Sequence, residues 1–360
     1  MSPGTWTEFV APRLQGRGRV ATGVLITSAV FVVGLLWAKW TPYLAEALAA
    51  QRTHHWPGSS ILGVGGVRAG DAPTWHAATT FFHAYFASIW PALVVALLVS
   101  ASVQALVPRS WLPCVLNRRR IVSSALAGGV ASMPSMMCTC CAAPVAVTLR
   151  RNGVTRTAAI AYWLGNPLLN PAVLVFLFFV APWQWTLTRA VVGVATVVGV
   201  AASVGLVTGA WEAGHRVPEA VAPSEAESAG AASRFVRSLL CLCLVLLPEY
   251  AIMVLVVGAS RGWLVTLTQP PHQGLLIVLV VAIVGTLIVI PTAGEIPILQ
   301  SLALLGASSG TLGALLITLP AISVPGVAMV ARSFGWKAIA TATVMVVMAG
   351  LLGATVLSVL

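Results

Sequence analysis

The chain of 360 residues is 58% hydrophobic and only 8% charged, with a mean hydropathy of +0.94. A soluble domain carries about 25% charged residues, so charge this scarce cannot solvate a surface all round, and a soluble globular enzyme is excluded. The net charge of +11 comes from eighteen Arg and two Lys (Lys39, Lys337) placed in short clusters between apolar runs; this is the signature of membrane topology and excludes a phosphate-tracking face for nucleic acid.

Taken in chain order, a basic stretch (Arg13, Arg17, Arg19) precedes an apolar run from Val20 to Trp37. No A-x-A-like site follows promptly, so the run reads as an uncleaved anchor span, followed by a hydrophilic loop over 39–78. Further runs of spanning length lie at 79–107, 157–182, 186–210, 235–258, 310–331 and 337–359. Two other apolar stretches are interrupted. Residues 121–149 contain Pro134, the CTCC run and Pro144, and residues 274–305 contain Pro291-Thr-Ala-Gly-Glu-Ile-Pro297. The Ala-, Glu- and Ser-rich segment 211–231 reads as a flexible cytoplasmic loop.

The basic residues decide whether the interrupted stretches cross or return. With the N-terminus inside and a hairpin at each, fifteen basic residues are cytoplasmic and five (Lys39, Arg52, Arg68, Arg189, Arg261) lie outside; single crossings give eleven to nine. The positive-inside rule prefers hairpins. Half of such a stretch is about 14 residues or ~21 Å of helix, too short for a ~30 Å hydrocarbon core. A shift of 153 residues lays Pro144, Gly153, Ala161 and Pro167 on Pro297, Gly306, Ala314 and Pro320. Two repeats follow, 79–210 and 232–360, each a span, a broken hairpin and two more spans. Three crossings per repeat is odd, so the copies are expected to be inverted, the layout of secondary transporters. The expected fold is an all-α polytopic bundle of about seven spans and two re-entrant hairpins, with Pro134, Pro144, Pro291 and Pro297 as helix breaks.

Three of six cysteines, Cys138, Cys140 and Cys141, fall within four positions at the first break. Clustered thiols are soft ligands, and a non-helical break lets residues two apart project together. The spacing is not C-x-x-C, so neither a zinc knuckle nor a thioredoxin-type motif is indicated; no resident metal is expected. Cys114, Cys241 and Cys243 read as small apolar packers. Glu295 and Glu249 are the two acids placed at membrane depth, where a carboxylate is costly and a candidate proton carrier; Glu295 equally suits the start of a half-helix. Asn166 and Asn170, each before a proline, either coordinate a solute or satisfy backbone groups at a kink. Thr155 and Ser308 read as helix caps. No phosphate-binding G-x-x-x-x-G-K-[ST] surrounds either Lys, so the chain does not itself hydrolyse ATP through such a loop, and no cofactor is expected.

The stretch from Pro134 through CTCC-AAP to GNPLLNP, echoed by GEIP, resembles the UPF0718 (YraQ-like) predicted permeases, which include the ArsP-type organoarsenical efflux permeases. The resemblance covers about 79–359. It rests on a C-x-C pair followed by proline, here Cys138, Cys140 and Pro144, and departs from the family at Cys141, where a small residue such as Gly is common. It implies a multi-pass plasma-membrane permease whose thiols engage trivalent organoarsenicals. The reading is therefore a secondary permease, not an enzyme, with a cytoplasmic N-terminus, moving a small thiophilic solute outward. A membrane thiol-disulfide oxidoreductase pairing the cluster with Cys241 and Cys243 is the alternative. A third reading is a subunit of a larger complex. Expected partners are the solute and the lipid bilayer, with a homo-oligomer or a membrane partner left open.

Overall fold

The computed structural model describes residues 11–54, 63–106, 111–209, 230–268, 275–304 and 307–360, and all regular structure among them is helical. Helix is what a chain this apolar must form in lipid, since it satisfies every backbone N–H and C=O within its own segment. The N-terminal rod comprises α1 (Ala11–Leu35), a π-helical turn (Leu36–Trp40) and α2 (Thr41–Thr53), ending where His54 takes a left-handed φ of 54°. The helix thus runs through 39–53, where hydropathy alone indicates a loop; Pro42 falls at the start of α2, directly after the π-helical turn.

The stretch expected to form the first repeat folds as α3 (Trp75–Leu106), the short α4 (Trp111–Leu116), α5 (Ile121–Ser132), α6 (Thr139–Arg151), α7 (Arg156–Leu168), α8 (Pro171–Val180) and α9 (Trp183–Val207). The stretch expected to form the second folds as α10 (Ala231–Thr268), α11 (Leu275–Gly285), α12 (Glu295–Leu304), α13 (Ser309–Ala321), α14 (Val324–Phe334) and α15 (Trp336–Val359). Among the described residues five stretches are long and apolar enough to cross a membrane (Ala21–Thr53, Trp75–Leu106, Arg156–Val180, Trp183–Val207 and Trp336–Val359), or six if α13 and α14, bent by 52°, form one span. The protein is a multi-pass membrane protein.

The stretch 121–149 folds as two half-helices of 12 and 13 residues, α5 and α6. Its two ends meet. Asn117 Nδ2 donates to the Gly153 carbonyl at 3.1 Å, the Thr155 N–H donates to Asn117 Oδ1 at 2.8 Å, and the Ser124 and Thr155 hydroxyls lie 3.2 Å apart. The chain therefore leaves and returns to one place. The corresponding ends of the second stretch, and Gly306, lie outside the described residues, as does nearly all of the 211–231 loop.

The 153-residue register carries α7 onto α13 end for end, and α9 onto α15 to within one residue. The caps repeat as well: Thr155 accepts from the Ala158 N–H at the start of α7, and Ser308 from the Thr311 N–H at the start of α13. In that register α3 packs on α10, α7 on α13 and α9 on α15.

Two expected helix breaks are corrected. Pro134 and Pro291 lie in the breaks, but Pro144 sits inside α6 and Pro297 in the first turn of α12. A first-turn proline removes an N–H that has no intrahelical acceptor, so Pro297 starts its helix rather than stopping it.

Candidate functional site

The first break runs from Met133 to Cys138. Pro134 fits a tight 3₁₀ turn, Met136 turns the chain with a left-handed φ of 48°, and Cys138 is extended as the N-cap of α6. An N-cap side chain naturally lies over the second and third residues of its helix. This brings Cys138 Sγ to 3.0 Å from Cys140 Sγ and 3.3 Å from Cys141 Sγ, with all three sulfurs within 4.8 Å of one another and buried. Inside a helix, residues two apart would splay; at the cap they converge. Tyr85 on α3 places its hydroxyl 3.2 Å from Cys140 Sγ. Asn166 braces the turn from α7: its Oδ1 accepts from the Ser135 hydroxyl and, at 3.4 Å, from the Met137 N–H, while its Nδ2 donates to the Tyr162 carbonyl at 2.8 Å.

The second break ends at Ala293, with a left-handed φ of 67°, and Glu295 opens α12. The Glu295 carboxylate pairs with Arg189 Nη2 at 2.7 Å, and both side chains are buried, at 2% and 0% exposure. Arg189 also donates to the Pro167 carbonyl at 2.8 Å and to the Leu316 carbonyl at 3.3 Å. These two acceptors are free for a definite reason. In a helix each would receive the N–H four residues on, and those residues are Pro171 and Pro320, which have none. One guanidinium thus joins α9, α7, α13 and α12 across both repeats.

Cys138 and Glu295 line one small cavity of about 10 Å³, together with Pro167, Pro291, Thr292 and Pro320 among others. In the 153-residue register Pro167 corresponds to Pro320 and Cys138 to Pro291, and all four line it. Its volume admits about one water.

The family described as a predicted permease (ArsP_1) matches residues 74–359. The chain belongs to it. The chain is also 39% identical over 333 residues to the UPF0718 protein YraQ of Escherichia coli (strain K12), covering 90% of this chain and 91% of that protein. No solved structure matches it significantly. By family the protein is a membrane transporter.

Within the permease, the predicted site residues are distributed unevenly. Cys138, Cys140, Cys141 and Glu295 come together around the two breaks. Asn170 does not share a helical face with Asn166, because α7 ends between them; it caps α8, its Oδ1 accepting from the Ala172 and Val173 N–H groups. Its buried Nδ2 has no hydrogen-bond partner. Glu249 falls on α10, and its side chain lies outside the described residues. Cys114 is exposed on α4, Cys241 exposed on α10 and Cys243 half-buried there.

Three basic residues placed outside by the charge count are buried instead: Lys39, Arg189 and Arg261. Arg261 gives its guanidinium to the Ala77 and Val64 carbonyls beside the loop before α3. Arg189, paired with Glu295, is the candidate site residue that hydropathy conceals. The available signal was an arginine inside a run of spanning length, which at membrane depth must find a partner, in a chain with very few acids to offer.

Proposed function

We propose that the protein is a proton-coupled secondary permease of inverted-repeat architecture in the plasma membrane, which exports a small thiophilic solute of the trivalent-organoarsenical or soft-metal kind. The observation that carries this reading is the single cavity lined by both Cys138 and Glu295, at the meeting of the two broken stretches. Substrate sites of such transporters lie near the midplane at the repeat interface, among discontinuous helices. The Cys138, Cys140 and Cys141 sulfurs offer a convergent soft ligand set, and the Asn170 Nδ2 is a spare donor for the solute.

Coupling follows from the latch. Arg189 holds α7, α9, α12 and α13 together while Glu295 is charged. A proton on Glu295 removes the charge partner of Arg189 and loosens that junction, so opening of the cavity and proton uptake become one event. Residues 79–210 and 232–360 are the two moving repeats, with the N-terminal rod, 11–53, beside them. The N-terminus is cytoplasmic, an orientation supported by the fifteen-to-five division of the basic residues under the hairpin topology.

A strain lacking the gene, complemented with wild-type or variant protein, tests the reading by intracellular accumulation of methylarsenite, arsenite, zinc, copper and small thiols. Lower accumulation of at least one soft solute with the wild type, lost on Cys138→Ser, is expected. No difference for any of them would overturn it.

A further inference from the structure

The N-terminal rod, outside the 74–359 family match, holds a charge one hydrogen bond away from a residue that lines the cavity. Its π-helical turn, Leu36–Trp40, inserts one extra residue per turn, a feature frequent at functional sites, and this turn carries both polar residues that reach the breaks. Trp40 Nε1 donates to the Pro134 carbonyl of the first break at 2.8 Å. Lys39 Nζ donates to Thr292 Oγ1 of the second break at 3.3 Å and to Tyr43 Oη at 2.8 Å. Thr292 lines the same cavity as Cys138 and Glu295. Lys39 is itself only 6% exposed.

Arg189 is matched by Glu295. Lys39 has only hydroxyl hydrogen-bond partners, and among the described residues it makes no ion pair with a carboxylate; the Cys138 and Cys141 thiols lie within its electrostatic reach, and Glu46, on the same rod, is exposed. A buried ammonium without a carboxylate partner is costly. We propose that Lys39 is the charge-selecting residue of the solute site, and that the solute is a small, soft anion whose negative charge lies against the Lys39 ammonium while its soft atom meets the Cys138 cluster. This rests on the reading of the cavity as the solute site and narrows its solute to anions.

The test compares iodoacetate with iodoacetamide, two alkylating agents of nearly equal size that differ by one negative charge. Full-length protein in native membrane vesicles is treated with each, and carboxymethylation or carbamidomethylation of Cys138 is followed by site-resolved mass spectrometry. In the wild type the iodoacetate-to-iodoacetamide rate ratio at Cys138 should exceed that of a free thiol in solution several-fold. Lys39→Gln should lower the ratio roughly tenfold, the size expected for loss of one unit charge near a partly buried site, and Lys39→Arg should keep it high. A wild-type ratio equal to that of the free thiol, or no alkylation of Cys138 by either reagent, would overturn the proposal without recourse to any variant. So would equal slowing of both reagents in Lys39→Gln, the signature of a smaller thiolate fraction. The ratio reads charge preference alone, so its failure beside intact cysteine-dependent export would leave the permease reading standing.

Discussion

At the residue scale the site is a set of groups that membrane burial makes expensive and that are retained together. Three thiols converge because the first of them occupies a helix N-cap and the others the first turn above it. Replacing Cys138 or Cys140 with Ser should each abolish export of a thiophilic solute while leaving insertion intact, whereas Cys241→Ser and Cys243→Ser should be nearly silent in the same accumulation assay. Four silent variants would make the cluster packing. Arg189→Gln leaves Glu295 buried without its partner, and breaking a buried pair costs about 3–5 kcal/mol, so its melting temperature in detergent should fall sharply. The double variant Arg189→Gln/Glu295→Gln should recover part of the loss; no recovery would remove the pair from the account. The thiols were legible in the sequence because they cluster within four positions. Arg189 and Lys39 were not, because averaging over an apolar run cannot distinguish a charge at a span's end from one turned into the bundle.

The elements were legible where punctuation is local. The two interruptions, the caps Thr155 and Ser308, and the register that lays α7 on α13 all follow from proline, glycine and hydroxyl residues at fixed offsets. What escaped was the helix over 41–53, whose moderate hydropathy resembles a loop until its docking on the breaks is seen, and the inclusion of Pro144 within α6. Both breaks hold a non-glycine residue in the left-handed region, Met136 and Ala293. That conformation costs an L-residue about 1–2 kcal/mol, and a β-branched side chain suffers more. Ala293→Gly should therefore raise the melting temperature of the solubilised protein, and Ala293→Val should lower it and impair export. Equal melting temperatures for the three proteins would show that the turn is not strained as described. Glycine serves the packing elsewhere: a Cβ on Gly313 would collide with the Gly353 carbonyl where α13 crosses α15, a close approach of the kind small residues permit between membrane helices.

For the whole molecule, the hydrogen bonds joining Asn117 to Gly153 and Thr155 bring the two ends of the stretch 121–149 together, as the proposed hairpin requires. Reporter fusions at Asn117 and Asn152 should give the same cytoplasmic signal, and opposite signals would remove the hairpin and the inverted repeat with it. The alternation of apolar runs made the all-helical, multi-pass class legible, as did the family motif; the meeting of the two breaks is long-range and appears only in the folded chain. In the proposed mechanism that meeting joins solute binding to proton uptake, and flux in proteoliposomes under an imposed pH gradient tests it most directly. The probes are phenylarsine oxide and its 4-carboxy derivative, with wild type, Cys138→Ser and Glu295→Gln compared. The wild type should move at least one probe at a rate set by the gradient. Cys138→Ser should neither bind nor move it, and Glu295→Gln should bind it yet show no response to the gradient. Gradient-driven flux at the wild-type rate in both variants would contradict the shared site.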